Sequence, residues 1–261
     1  MKLSCNLLAF VAAAALFATA QTNSKQSESS APAVQRDANA ITVLTQAVAA
    51  LGGEANIAAV HDCVASGNFS AKGQTWLRFT AFVWKNSQKE YSYEVSDSDG
   101  KTSIDRSGHG KPSLEIDGKK RPRHSHTPIS SSPTHLIALR LLEVLRDPKY
   151  DAIFNGTDTL NGRAVFKVRT RNNSDEIEAA LTQQDWFFDE NYIPVRVEYQ
   201  VGENSNALDL TKMAADLAAY APFDGVMVPM QITFSMNGQT GATAKITSIR
   251  FNSGVSSSDF D

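Results

Sequence analysis

Hydrophobic residues recur at every second position over much of this chain. In Ile193, Val195, Val197, Tyr199 and Val201 each alternate residue is apolar, while Arg196, Glu198 and Gln200 take the opposite face. That is the period of a β-strand wet on one side. The same period runs through Val226, Val228, Met230, Ile232, Phe234 and Met236 against Gln231, Thr233 and Ser235. It returns in Ala164, Phe166 and Val168 against Lys167, Arg169 and Arg171, and in Tyr91, Tyr93 and Val95 against Glu90, Ser92 and Glu94. Between Trp76 and Trp84 the pattern changes. Leu77, Phe79, Ala81 and Val83 make one apolar row, and Trp76, Phe82 and Trp84 share the other with Arg78 and Thr80, so this strand is expected to be covered on both faces.

Asp99-Gly100, Asp117-Gly118, Asn161-Gly162, Asp224-Gly225 and Asn237-Gly238 separate the runs, and such pairs favour tight hairpins. Short spacers make neighbouring strands antiparallel, because a parallel return needs a crossover of about a dozen residues. A meander of many strands, each greasy on one side, curls to hide that side. Two segments read as helices. After Asp37 as N-cap, Ile41, Leu44, Val48 and Leu51 form a narrow stripe that Gly52-Gly53 stops. The second helix is expected from Ser132, with Pro133 in its first turn, to just before Pro148. Ile137, Leu141, Leu142, Val144 and Leu145 make its apolar arc, with Leu136 and Leu139 on a shoulder beside Arg140 and Glu143. The surplus leucines either complete the core or border an open apolar groove.

The first residues change the setting. Lys2, an apolar stretch from Leu7 to Phe17, and small residues Ala18 and Ala20 read as a signal peptide cleaved after Ala20. The stretch is shorter than the roughly 20 apolar residues of a membrane span, so no transmembrane segment is expected in the mature chain. Residues 21–36 are rich in Ser, Gln and Ala with Pro32 and read as a disordered linker, and residues 37–261 as a single domain. Cys63 is the one cysteine beyond the leader, which rules out an intrachain disulfide and suits a small buried apolar residue.

The net charge of −3 becomes −4 without Lys2, and the basic footprint that nucleic acid requires is missing. One local exception is Lys119, Lys120, Arg121 and Arg123, with His124 and His126. This run reads as a solvated hairpin or loop, or as a patch for an envelope protein partner or for anionic lipid, where each cation is worth about 1 kcal/mol. No catalytic, metal or cofactor site is expected. G-x-S-x-G, H-E-x-x-H and paired C-x-x-C are all missing. His124 and His126, with His135 nearby, lie among basic residues that repel a cation. Asp97 to Lys101 begins like a calcium loop, but Lys101 and Gly108 stand where ligands belong. Asp185, Asp189 and Glu190 flank Trp186 in a strand-and-turn setting that favours solvated carboxylates.

Several stretches carry a family resemblance. GTDTLNGRAVFKVRTR (Gly156 to Arg171), DWFFDENYIPVRVEY (Asp185 to Tyr199) and YAPFDGVMVPMQITF (Tyr220 to Phe234) resemble bacterial outer-membrane lipoprotein-sorting proteins of the Lol-carrier type. So do ITSIRFNSGVSSSDF (Ile246 to Phe260), ALGGEANIAAVHDCVASGNFS (Ala50 to Ser70) and SDGKT (Ser98 to Thr102). The resemblance implies a mainly β fold with α elements (α+β), a curved antiparallel sheet forming an incomplete β-barrel closed by helices around an apolar cavity. It implies a periplasmic or secreted carrier of lipid or lipoprotein acyl chains. The expected lining and lid are Leu136, Leu139, Leu142, Phe166, Val195, Val197, Met230 and Ile232. Each methylene removed from water is worth about 0.8 kcal/mol, so an acyl chain binds without any charged residue. A non-enzymatic envelope signalling or assembly module and a secreted hydrolase are the alternatives.

Overall fold

The computed structural model describes residues 33–71, 74–85, 90–108, 111–121, 136–202 and 210–260, all within one compact unit, Ala31–Asp261. Thirteen strands among these residues form one antiparallel sheet. The outgoing strands are β1 (Asp62–Ala71), β2 (Gln74–Lys85), β3 (Glu90–Asp97), β4 (Thr102–Gly108), β5 (Lys111–Ile116) and β6 (Lys119–Arg121). The returning strands are β7 (Tyr150–Leu160), β8 (Arg163–Asn172), β9 (Gln184–Phe188), β10 (Pro194–Gly202), β11 (Leu210–Phe223), β12 (Val226–Met236) and β13 (Gln239–Phe251). The order β6-β5-β4-β3-β2-β1-β13-β12-β11-β10-β9-β8-β7 is two meanders joined at a β1/β13 seam. β6 and β7 are the two ends and do not pair, so the sheet stays open rather than closing into a barrel.

The alternating segments became β3, β8, β10 and β12. Four of the five turn pairs adopt positive φ at both residues, from Asp117 (48°) and Gly118 (74°) to Asn237 (49°) and Gly238 (80°), as a two-residue hairpin requires. In the β3–β4 turn the Asp97 carboxylate accepts from Asp99 N and Lys101 N at 2.9 Å each. The expected two-sided cover of β2 concerns side chains outside those described.

The helices are α1 (Ala38–Ala50), α2 (Gly53–Ala58), α3 (Ile137–Arg146) and α4 (Glu176–Thr182), with a 3-10 turn at Ser257–Phe260. α1 buries Ala40, Leu44 and Ala47, and Leu51 just beyond it is buried too. Its N-cap Asp37 makes no side-chain bond to the helix; the carboxylate accepts from Phe154 N of β7 at 3.0 Å instead. Gly52-Gly53 ends α1 but does not end helical structure, because α2 begins at Gly53. Gly52 has φ 123°, and a Cβ there would collide with the Gly225 carbonyl oxygen; only glycine lets this turn sit on the β11–β12 hairpin.

α3 departs from expectation at its start. Ser132 and Pro133 lie outside the described residues, and Leu136 is extended (φ −143°, ψ 93°), so the helix begins at Ile137. Asp147 is again extended, which ends it before Pro148 as expected for a residue preceding proline. Gln35 and Arg36, read from the sequence as linker, are built into the domain. Arg36 bridges to Ala152 of β7. Its guanidinium donates to the carbonyls of Val144 (3.1 Å), Leu145 (2.9 Å), Asp147 (3.3 Å) and Tyr150 (2.9 Å), capping carbonyls that the helix end leaves without partners.

Candidate functional site

The residues expected to line a cavity fall into two groups. Leu136, Leu142, Val197 and Ile232 are buried in one core with Leu44, Leu141 and Trp186. Leu139 and Phe166 are half-buried against that core, and the Phe166 ring stacks on Tyr192 with centroids 5.3 Å apart. Val195 and Met230 are half-buried. The first group is inaccessible to a ligand in this arrangement.

α3 is held down by polar bonds as well as by leucines. Arg140, placed by the helical wheel beside the apolar arc, is 7% exposed. Its Nη1 donates to Tyr150 Oη at 2.7 Å and to Glu143 Oε2 at 2.8 Å, and its Nε to Gln184 Oε1 at 3.4 Å. The guanidinium lies 5.0 Å from the Tyr150 ring centre. Burial pulls the Arg140 pKa down, but Tyr150 and Glu143 more than offset this and leave it raised, so the group stays cationic. Burial raises the Tyr150 hydroxyl pKa, with Arg140 opposing. The sequence signal was present: an arginine inside a leucine-rich helix needs partners when it is buried.

The other half of the sheet is covered differently. α1, α2 and α3 make their main sheet contacts with β7, β8 and β12, and α4 with β8 and β10; the 3-10 turn lies against β3 and β4. Register aligns buried Ala65 with Phe82, Tyr93, Asp105, Leu114 and Arg121 across β1 to β6. A second row runs Phe79, Val95, Ser103, Ile116 and Lys119. Val95 packs against the main core and Ala65 and Leu114 are buried, which puts these described members of the two rows on the inner face. Five strand spacings of ~4.8 Å make the first row about 24 Å long. Lys119, Lys120 and Arg121 are exposed at its end; Arg123 lies outside the described residues.

Among the described residues, depressions open on the surface at two places. One of about 520 Å³ is lined by Phe223, Asp224, Ile249, Arg250, Phe251 and Ser253. The other, about 350 Å³, holds the charged ladder of β8 to β11. There Arg169 pairs bidentately with Asp185 (2.8 and 2.9 Å), and Arg196 bridges Glu198 (2.9 Å) and Asp216 (2.8 Å). None of the eight expected lining residues borders either depression.

The carboxylates near Trp186 have structural roles. Asp185 holds Arg169, and Asp189 accepts from Asn191 N and Ile193 N to close its turn, each at 2.9 Å. Among the described residues no three of His, Cys, Asp and Glu converge as a metal site would require; His124, His126 and His135 lie outside them. No described helix is long and apolar enough to cross a membrane.

No protein-family model and no curated protein matches the sequence. Solved structures do match in shape. A domain from Vibrio parahaemolyticus named for outer membrane lipoprotein sorting aligns over 85% of this chain and 95% of its own, with TM-score 0.53 and 16% identity. A LolA superfamily protein from Nitrosomonas europaea aligns over 85% and 97%, with TM-score 0.50 and 10% identity. This chain shares the fold of these two structures. A DUF1329 family protein from Desulfovibrio piger shares it over 84% of this chain and 96% of its own, at TM-score 0.50 and 13% identity. Among the described residues, this chain's helices make their main sheet contacts with β7, β8, β10 and β12.

Proposed function

We propose that this protein is a non-catalytic, extracytoplasmic carrier of a linear apolar ligand, a lipid or a lipoprotein acyl chain. The supporting observation is the unequal helical cover of the sheet among the described residues. α1 and α3 pack on the β7–β13 side, whereas β2 to β6 carry aromatic and aliphatic register positions from Phe79 and Phe82 to Leu114 and Ile116. The acyl chain lies along these rows, and an anionic head reaches Lys119 and Arg121 at the end. A dozen buried methylenes supply about 10 kcal/mol before ordering costs, and each cation adds about 1 kcal/mol near a negative surface. Leu136, Leu139 and Leu142 serve as the neighbouring lid, with Phe166, Val195, Val197, Met230 and Ile232 reached as α3 lifts. The signal peptide directs the chain out of the cytoplasm.

Mass spectrometry of organic extracts from natively purified protein tests the reading, together with hydrogen exchange in the presence of oleate. Co-purified lipid at one per protein and new protection in β3 to β5 are expected. An empty extract with no oleate footprint on those strands would remove the carrier reading.

A further inference from the structure

The ladder between β12 and β13 stops halfway. Pairing runs from Met236 with Gln239 to Gln231 with Lys245; beyond that, Val226–Met230 and Ile246–Phe251 continue without bonding each other. Three features hold them apart. Pro229, which the register sets against Thr247, has no N–H to give. Thr247 is the residue skipped where Ser66 pairs with Ser248 and Gly67 with Ile246, so β13 is bulged there. The Met227 amide, which would meet Ile249, is donated to Leu51 O at 2.9 Å.

The β13 side of this split is a free strand edge. Asn252 N donates to Asp62 O at 3.0 Å, so by alternation Arg250 bonds toward β1, while the N–H and C=O of Ile249 and Phe251 point into the split. The depression of about 520 Å³ opens at this place, walled by Phe223 and Asp224 on one side and by Ile249, Arg250 and Phe251 on the other. Arg250 is exposed and holds no ion pair among the described residues. An acyl chain cannot satisfy backbone donors and acceptors, whereas another backbone can.

We propose that the split binds an extended segment of a partner protein, which adds as a strand to Ile249–Phe251. The matching segment is apolar, acidic, apolar: two apolar residues opposite Ile249 and Phe251, and between them a carboxylate opposite the exposed Arg250. This site adjoins the inner-face row at the Ala65–Ile249 pair, but the proposal stands without the apolar-ligand reading because its bonds are to backbone.

The test uses the whole protein and a blocked pentapeptide, acetyl-Thr-Val-Glu-Val-Thr-amide, followed by amide hydrogen exchange. In the free protein the Ile249 and Phe251 amides should exchange about tenfold or more faster than Arg250, and saturating peptide should remove the difference. Methylating the two valine nitrogens removes the donors that face β13 and should abolish binding. R250E should weaken this peptide about tenfold and favour its Lys-for-Glu counterpart. P229V restores a donor to β12 and should lower peptide affinity without lowering the unfolding midpoint. Equal protection of residues 249 to 251 before peptide is added, undiminished binding of the methylated peptide, or identical protection by oleate would each overturn the proposal.

Discussion

The two halves of the sheet solve the burial of an apolar face by opposite means. Towards β7 the sheet is packed by α1, α2 and α3, whose main contacts are with β7, β8 and β12, and Leu44, Leu141, Trp186 and Phe188 are all but inaccessible. From β2 to β6 the described structure supplies the 3-10 turn and buried Phe260 rather than a helix. Among the described residues, the helical packing and the core stability it brings are therefore concentrated on one half. A carrier needs that division, because a site packed to native density binds nothing and an unpacked domain does not fold.

The comparison breaks most readily at the leucines. Leu141→Ala should cost about 3 kcal/mol as a core cavity forms, and Leu114→Ala, near the open end, at most about 2 kcal/mol; equal losses in urea unfolding would contradict a division of labour. Arg140→Met is expected to cost about 3 kcal/mol, since it strands Glu143, Gln184 and the Tyr150 hydroxyl. A neutral result would show that leucines alone hold α3. Arg36→Ala should cost about 2 kcal/mol by releasing four carbonyls, and should quicken amide exchange in the last turn of α3 with β3 to β5 unchanged.

The smallest effect near neutrality is alkaline. Burial raises the pKa of Tyr150, Tyr199 and Tyr220 above the ordinary phenol value of 10.0, and the Tyr220 hydroxyl donates to Pro194 O at 2.7 Å. The folded state thus keeps protons that the unfolded chain loses. Stability should be flat in this respect below pH ~10 and fall above it by up to about 1.4 kcal/mol per pH unit per tyrosine. Phenolate absorbance from these three should appear only with unfolding. Ionisation ahead of unfolding would mean that the covered half opens on its own.

Most of the fold was legible in the sequence because its signals are local. A period of two marks strands whatever they pair with, and Asp-Gly or Asn-Gly marks a hairpin through backbone sterics alone. The parts missed depend on distant partners. Arg36 looks like linker until Val144 and Tyr150 arrive, Arg140 looks like a surface residue until Tyr150 and Gln184 do, and α2 is a short helix held by the Gly225 hairpin. Alternation puts Phe166, Val195, Val197, Met230 and Ile232 on apolar strand faces, and the helical wheel puts Leu136, Leu139 and Leu142 on or beside the apolar arc, but neither tells which of them packing will seal. Pro229 also carries a local signal: a proline inside a strand belongs at an edge or a bulge.

The β1/β13 seam also governs how the chain can fold. It joins the first strand to the last, and the bond from His61 N to Asn252 Oδ1 closes a loop of 191 residues. Each meander can zip from its own hairpins, but the seam waits for both, and long closures are slow. Refolding should accordingly end with one slow step in which Cys63 and Phe251 come into register, after the hairpins on either side have already formed.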